Sequence, residues 1–162
     1  MLLIRRALSS DLASVLAIYN QGIEDRIATL EDKPKDESYM SQWFENHQGR
    51  FEVLVAEYAG EVIGWSAINQ YSSRCAYDGV GDISIYIHRD WRGKGVGSQL
   101  LQKLEEAGRE NKFYKFVLFT FPHNMLGQGL YHKSGYREVG VFQNQGILDG
   151  KYIDVMAMEK LL

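Results

Sequence analysis

Asp90-Trp91-Arg92-Gly93-Lys94-Gly95-Val96-Gly97-Ser98 stands between two patterns of different period. Upstream, Gly81 to His88 alternates apolar and other residues as a strand does. Downstream, Gln99-Leu100-Leu101 opens a helical repeat. A strand that feeds a glycine-rich turn and then a helix aims unpaired first-turn amides at one point, where the helix dipole is positive. Such a point holds anions, phosphate above all. Gly93, Gly95 and Gly97 let the backbone approach a bulky pyrophosphate with no side chain in the way, and Arg92 and Lys94 add cationic donors. Two familiar phosphate loops are excluded. A Walker A loop would carry Gly-Lys-Ser/Thr after its spacer, and the dinucleotide fingerprint needs a third glycine where Ser98 stands.

Outward from this loop, strand and helix signals fill the chain. Met1 to Arg6 reads as a first strand. Ser9-Ser10-Asp11 offers helix N-caps, and Leu12, Val15, Leu16, Tyr19 and Ile23 then keep helical spacing. Residues 24–37 are polar, contain Pro34 and read as a loop or broken helix over one end of the fold. Tyr39, Met40, Trp43 and Phe44 mark a second amphipathic helix that ends before Gly49. Phe51–Tyr58 and Val62–Tyr71 are β-rich runs joined by a tight turn at Ala59-Gly60-Glu61. The polar loop 72–80 leads into the strand at 81–88. After the glycine loop come a helix from Ser98 to Asn111, an apolar strand Phe113–Phe121 and a short helix His123–Ser134 stopped by Gly135. Two last strands, Tyr136–Phe142 and Tyr152–Lys160, are expected to be joined by a polar segment, Gln143–Lys151. The order β-α-α-β-β-β-α-β-α-β-β predicts an α/β fold with a mixed sheet. Within it, the unit at 81–121 should be a parallel, right-handed crossover.

Composition bounds the function. With 162 residues, 45% apolar and 24% charged, the chain is expected to be one globular domain spanning 1–162. A net charge of −3 gives no general attraction to nucleic acid or to an anionic membrane. No apolar run reaches the roughly 18 residues of a membrane span. The first charges follow a very short apolar run, the reverse of a secretory signal. The single cysteine, Cys75, excludes an internal disulfide and suits a reducing cytoplasm. It has no histidine or cysteine partner placed to make it a nucleophile. His47, His88, His123 and His132 show no metal-ligand spacing, so no metal is expected. The aromatics of Phe113–Phe121 read as a buried strand, since the basic interleaving of a base-stacking platform is sparse.

Chemistry beside a phosphate loop needs a base and an oxyanion donor. Asp82 opens the strand whose far end runs into the loop, and burial there would lift its pKa toward general-base duty. The alternative for Asp82 is an exposed strand-end carboxylate. Ile87, at the other end, offers a backbone N–H to a developing oxyanion if the sheet opens beside it.

Arg92-x-x-Gly95-x-Gly97 resembles the Q/R-x-x-G-x-G/A loop by which the GNAT superfamily of N-acetyltransferases holds the pyrophosphate of acetyl-CoA. Asn124-x-x-Gly127-x-x-Leu130-Tyr131-x-x-x-Gly135-Tyr136 resembles the N-x-x-A-x-x-L-Y-x-x-x-G-F/Y segment of the same superfamily. Nearly end to end, the chain is similar to its phosphinothricin N-acetyltransferase branch. Ile4-Arg5 with Asp11-Leu12, Ile18-Tyr19-Asn20, Trp43-Phe44, Leu54-Val55-Ala56-Glu57, Val62-Ile63-Gly64-Trp65, Arg74-x-Ala76-Tyr77 and Gly150-x-Tyr152-x-Asp154-Val155 carry that likeness.

The resemblance implies a mostly antiparallel central sheet flanked by helices on both faces, acetyl-CoA as co-substrate, and a cytoplasmic homodimer. Ile85, Tyr86, Ile87, the loop Arg92, Gly93, Lys94, Gly95, Val96, Gly97 and Ser98, and Asn124 would bind the cofactor, with Asn124 on the pantetheine arm. Tyr131 would bind there too and protonate the departing thiolate. The branch's catalytic glutamate falls on Asp82, one methylene shorter, which leaves open whether the base acts through a water. Members often carry histidine where Tyr131 stands. Arg74 and Tyr77 would meet a substrate carboxylate or phosphinate, and Ile27, Thr29 and Leu30 would line the pocket. Asp154 is expected to order the last strands or the pocket. The implied activity is acetylation of the α-amine of a small amino acid or analogue of the phosphinothricin or methionine sulfoximine/sulfone type. Alternatives are another amine, such as a polyamine or a protein N-terminus, or a non-catalytic acyl-CoA-binding sensor.

Overall fold

In the computed structural model, which describes residues 1–162, the chain runs β1 (Leu2–Arg6), α1 (Leu12–Glu24), α2 (Glu37–Glu45), β2 (Val53–Tyr58), β3 (Glu61–Gln70), β4 (Val80–Ile87), α3 (Val96–Glu110), β5 (Lys115–Thr120), α4 (Met125–Lys133), β6 (Arg137–Leu148) and β7 (Lys151–Leu161). This is the predicted order. The strands form one sheet, β1-β2-β3-β4-β5-β7-β6, antiparallel throughout except for the parallel pair β4–β5.

Period-two alternation divides the sheet's side chains between two helical layers. On one face Leu100, Leu101 and Leu104 of α3 pack against Leu54, Ile68, Ile83 and Phe116. On the other, Val15 and Ile18 of α1 and Met40 of α2 pack against Val53, Val55 and Trp65. A fully buried aliphatic side chain contributes about 2 kcal/mol, so both layers are tightly specified. No helix is long and apolar enough to cross a membrane.

The feature that positions the site is a split in the sheet. β4 pairs with β5 only at Val80–Lys115, Gly81–Phe116 and Asp82–Val117. Beyond Asp82, β4 stays with β3 as far as Ile87, while β5 goes on with β7 as far as Thr120. From Ile83 onward the β4 edge facing β5 is free.

One expectation is corrected. Residues 143–148 are not a loop, because β6 continues to Leu148 and closes on β7 through a two-residue turn, Asp149-Gly150. Both turn residues have positive φ, 52° and 75°, as a type I′ hairpin turn requires, and an Asp-Gly pair supplies that conformation at least cost. The strand expected from Tyr136 continues past Phe142, and no alternation marks the continuation because β6 is an edge strand exposed along most of its length. Its register shifts between Phe142 and Gly146, where Asn144 N–H donates to Asp154 at 2.8 Å. Asp154 thus orders the last strands, as expected.

Candidate active site

The split opens into a cavity of about 640 Å³. Asp82, Ser84 and Tyr86 of β4 form one wall. The glycine loop closes one end, and Asn124 and Tyr131 of the α4 region stand opposite. His88 N–H donates to the Ile63 carbonyl at 2.8 Å. Amides alternate along a strand, so the N–H groups of Ile85 and Ile87 face the other edge, where β5 has already departed. The opening that an Ile87 oxyanion donor requires is therefore present.

The loop is built for an anion. Gly95 is the N-cap of α3 at φ 85°, a left-handed conformation that a side chain would strain. The first-turn amides of α3 that follow it have no intrahelical acceptor. A Cβ at Gly97 would lie 2.9 Å from Leu130 Cδ2, so this bare backbone is what lets α4 close over the loop. Lys94 Nζ sits 5.4 Å from the Trp91 ring centroid and pairs with no carboxylate, which leaves it available to a phosphate. Donor set and cradle both fit a pyrophosphate.

Arg92 is held differently from the expectation. Its Nη1 donates to Asp25 at 2.7 Å and its Nε to the Ile87 carbonyl at 3.3 Å. The guanidinium therefore ties the loop to the end of α1 and to β4. Arg89 also reaches Asp25, at 2.9 Å, and Glu24, at 3.1 Å. Burial pushes the Asp25 carboxyl up, but the hydrogen bonds from Arg92 and Arg89 outweigh it and hold Asp25 below the usual carboxylate range.

Asp82 has no hydrogen-bond donor or cation beside it, and burial alone lifts its pKa from 3.8 to about 7. A carboxylate with that proton affinity exchanges a proton near neutrality. Tyr131 packs edge-on against Tyr136, ring centroids 5.8 Å apart, and its hydroxyl bonds to no protein group. Burial raises it to about 12, so it stays a donor across the working range. Burial raises Tyr86 as well. Asn124 spends its Oδ1 on capping α4, accepting from Gly127 N–H at 3.1 Å. Its Nδ2 is only loosely engaged by Thr120, at 3.5 Å, and remains able to donate into the cavity.

The expected substrate residues gather less tightly. Arg74 and Tyr77 lie in the exposed loop before β4, at the Asp82 end of the strand but outside the cavity lining. Ile27 lines the cavity, together with Ala28, which the sequence did not single out. Thr29 sits beside the hydroxyls of Tyr19 and Tyr86. Leu30 instead packs on Phe121, Leu148 and Val155 beneath the last hairpin. Asp25 was also missed. Its signal was available: Glu24-Asp25 puts two carboxylates at a helix C-terminus, against the dipole, and such a placement needs cations nearby.

A family model described as "Acetyltransferase (GNAT) family" matches residues 15–136. The chain belongs to this family. It is an N-acetyltransferase with the family's fold. YwnH of Bacillus subtilis (strain 168), provisionally named a phosphinothricin acetyltransferase, is 34% identical over 160 residues, covering 98% of each chain. The L-methionine sulfoximine/L-methionine sulfone acetyltransferase of Pseudomonas aeruginosa is 30% identical over 158 residues, covering 96% of this chain and 92% of that one. Among solved structures, the ribosomal-protein-alanine N-acetyltransferase from Brucella melitensis superposes with a TM-score of 0.95 at 32% identity, covering 99% of each chain. The phosphinothricin acetyltransferase from Sinorhizobium meliloti in complex with AcCoA has a TM-score of 0.93 at 27% identity, covering 99% of this chain and 88% of that one.

Proposed function

We propose that the protein transfers the acetyl group of acetyl-CoA to the α-amine of a small amino acid or analogue, of the phosphinothricin or methionine sulfoximine/sulfone type. The single observation that carries this reading is Asp82, a carboxylate poised near pH 7 in the wall of a cavity that ends at an anion-binding helix N-terminus. The Sinorhizobium neighbour's bound AcCoA supports the choice of acetyl donor. The names of the Bacillus and Pseudomonas relatives support the acceptor class.

The amides that follow Gly95, with Lys94, bind the pyrophosphate, and Asn124 Nδ2 orients the arm that leads toward β4. Ionised Asp82 takes the proton of the amine as its nitrogen bonds to the acetyl carbon, directly or through one water. The Ile87 amide donates to the acetyl oxygen, where negative charge grows. Tyr131, as a phenol with pKa about 12, is a weaker acid than a thiol, so it hydrogen-bonds the departing sulfur as the C–S bond breaks and keeps its own proton. Arg74 and Tyr77, in the loop that leads into β4 at the Asp82 end, are the candidates to receive a substrate carboxylate. The enzyme works in the cytoplasm as a homodimer.

A thiol-release assay with acetyl-CoA, run against amino acids, phosphinothricin, methionine sulfoximine, polyamines and alanine-ended peptides, tests the reading. Preference for carboxylate-bearing small amines supports it. Preference for the peptide, as the Brucella neighbour's name would have it, or for polyamines overturns the substrate class. Saturable binding of acetyl-CoA without turnover on any amine leaves a sensor.

A further inference from the structure

A line of hydrogen bonds enters the cavity from the side away from the glycine loop. Ser84 shares a strand face with Asp82, two residues on, and lines the same cavity. Asn69, the cross-strand partner of Asp82 on β3, donates its Nδ2 to Ser84 Oγ at 2.9 Å. Asn69 Oδ1 lies 2.7 Å from His47 Nε2, and His47 Nδ1 lies 2.7 Å from the Trp43 carbonyl. The Trp43 ring lies against the imidazole, tilted by 32°, with centroids 4.1 Å apart.

Donor and acceptor chemistry leaves this line two states. A carbonyl only accepts, so Nδ1 always carries a proton. With the Asn69 amide oriented as it is, Oδ1 also only accepts, so Nε2 must be the donor. Ser84 then accepts from Asn69 and turns its O–H into the cavity. The other state presents Nε2 as an acceptor instead. The amide must then turn end for end, which its shape permits without displacing a neighbour. Nδ2 donates to His47, Oδ1 accepts the Ser84 O–H, and the serine's lone pairs face the cavity. The charged groups that share the His47 cleft are Arg6 and Glu52, paired with each other at 2.6 Å, and Asp82 lies across the strand from Asn69.

An amine about to attack has hydrogens to give and a lone pair to keep free. The lone-pair orientation of Ser84 gives such an amine two acceptor sites and no competing donor, whereas the other leaves one acceptor site and aims an O–H at the amine's own lone pair. We infer that Ser84 receives an N–H of the acceptor amine beside Asp82, and that His47 and Asn69 are positioning residues that set the serine's polarity from outside the cavity. The inference rests on the acetyl-transfer reading above.

Thiol-release kinetics from pH 5 to 9 on the native enzyme and on Ser84→Ala, Ser84→Thr, His47→Gln and Asp82→Asn test it, together with nitrogen NMR of the native protein. Ser84→Ala should raise KM for the amine about tenfold, the weight of one hydrogen bond, with KM for acetyl-CoA unchanged, and Ser84→Thr should restore it. The native amine KM should follow the His47 ring-nitrogen signals across that range, and His47→Gln should remove that dependence while the step from Asp82 remains. In the native protein, the Asn69 side-chain amide signals should move together with those of the His47 ring nitrogens. An amide that ignores His47 overturns the inference even if a variant misfolds, and so does an amine KM within twofold of native in Ser84→Ala. If Asp82→Asn is crippled while Ser84→Ala is not, only this inference falls. If Asp82→Asn turns over normally, the base assignment falls separately.

Discussion

Replacing Asp82 with asparagine should stabilise the protein and disable it in the same pH range. The carboxyl is lifted from 3.8 to about 7 by burial alone. At 1.36 kcal/mol for each tenfold change in proton affinity, holding the charge inside the fold costs about 4 kcal/mol. Water in the open cavity relieves part of that, which leaves about 2–4 kcal/mol. Below about pH 4 the group is neutral in both the folded and unfolded chain and costs nothing. Between about 4 and 7 the unfolded chain ionises while the fold keeps the proton, so stability falls as pH rises. Above 7 the loss is complete. Asp82→Asn, isosteric and uncharged, should therefore match the native protein in denaturant unfolding at pH 4 and exceed it by about 2–4 kcal/mol at pH 8. Its turnover in the thiol-release assay should fall by roughly 10²–10⁴, the usual worth of a positioned base. In the native enzyme kcat/KM should rise with pH to a plateau above about 7. A variant no more stable than native at pH 8 would refute the desolvation argument, and undiminished turnover would refute the catalytic one.

The other predictions concern what surrounds that carboxylate. Tyr131→Phe, which removes one hydrogen-bond donor from the developing charge on sulfur, should lower kcat about 10²-fold with little change in either KM. Because burial holds the phenol at about 12, the native rate should show no alkaline fall from this group up to pH 10. Asp25→Asn should free Arg92 and raise KM for acetyl-CoA about fivefold, an effect of about 1 kcal/mol for a partly exposed ion pair, while kcat stays near native. Glu105 is buried and receives Lys160 Nζ at 2.7 Å and the Tyr136 hydroxyl at 3.1 Å, tying α3 to the last strand and to the end of α4. Glu105→Ala should cost about 2–3 kcal/mol in denaturant unfolding, less than a fully buried pair because Lys160 keeps some solvent.

What the chain revealed in advance divides along the range of the forces involved. The order of elements was legible because each depends on neighbours a few residues away: the helical spacing of Leu100, Leu101 and Leu104, the alternation along 81–88, the turn at Ala59-Gly60. Where local patterning fades, legibility fades with it, and β6 shows this. Exposed on both sides, it has no buried face to impose alternation, and only the Asp149-Gly150 pair records the hairpin. Within the site, Asp82 and the glycine loop stand out by their places at the two ends of one strand, while Asn124 and Tyr131 stand out only through the resemblance of their segment to that of the GNAT superfamily, and the structure brings all of them to one cavity. The partners that tune them were not found, because those meet only after folding. Asp25 reaches Arg92 across 67 positions of chain, and His47 reaches Asn69 across 22. The elevated pKa of Asp82 has the same origin. It comes from the divergence of β4 and β5 and from the lack of any cation there, and neither is a property of a residue in isolation. The chemistry of this site is thus encoded twice: the identity of its groups locally, and their proton affinities and orientations by the topology that parts two parallel strands after three residue pairs.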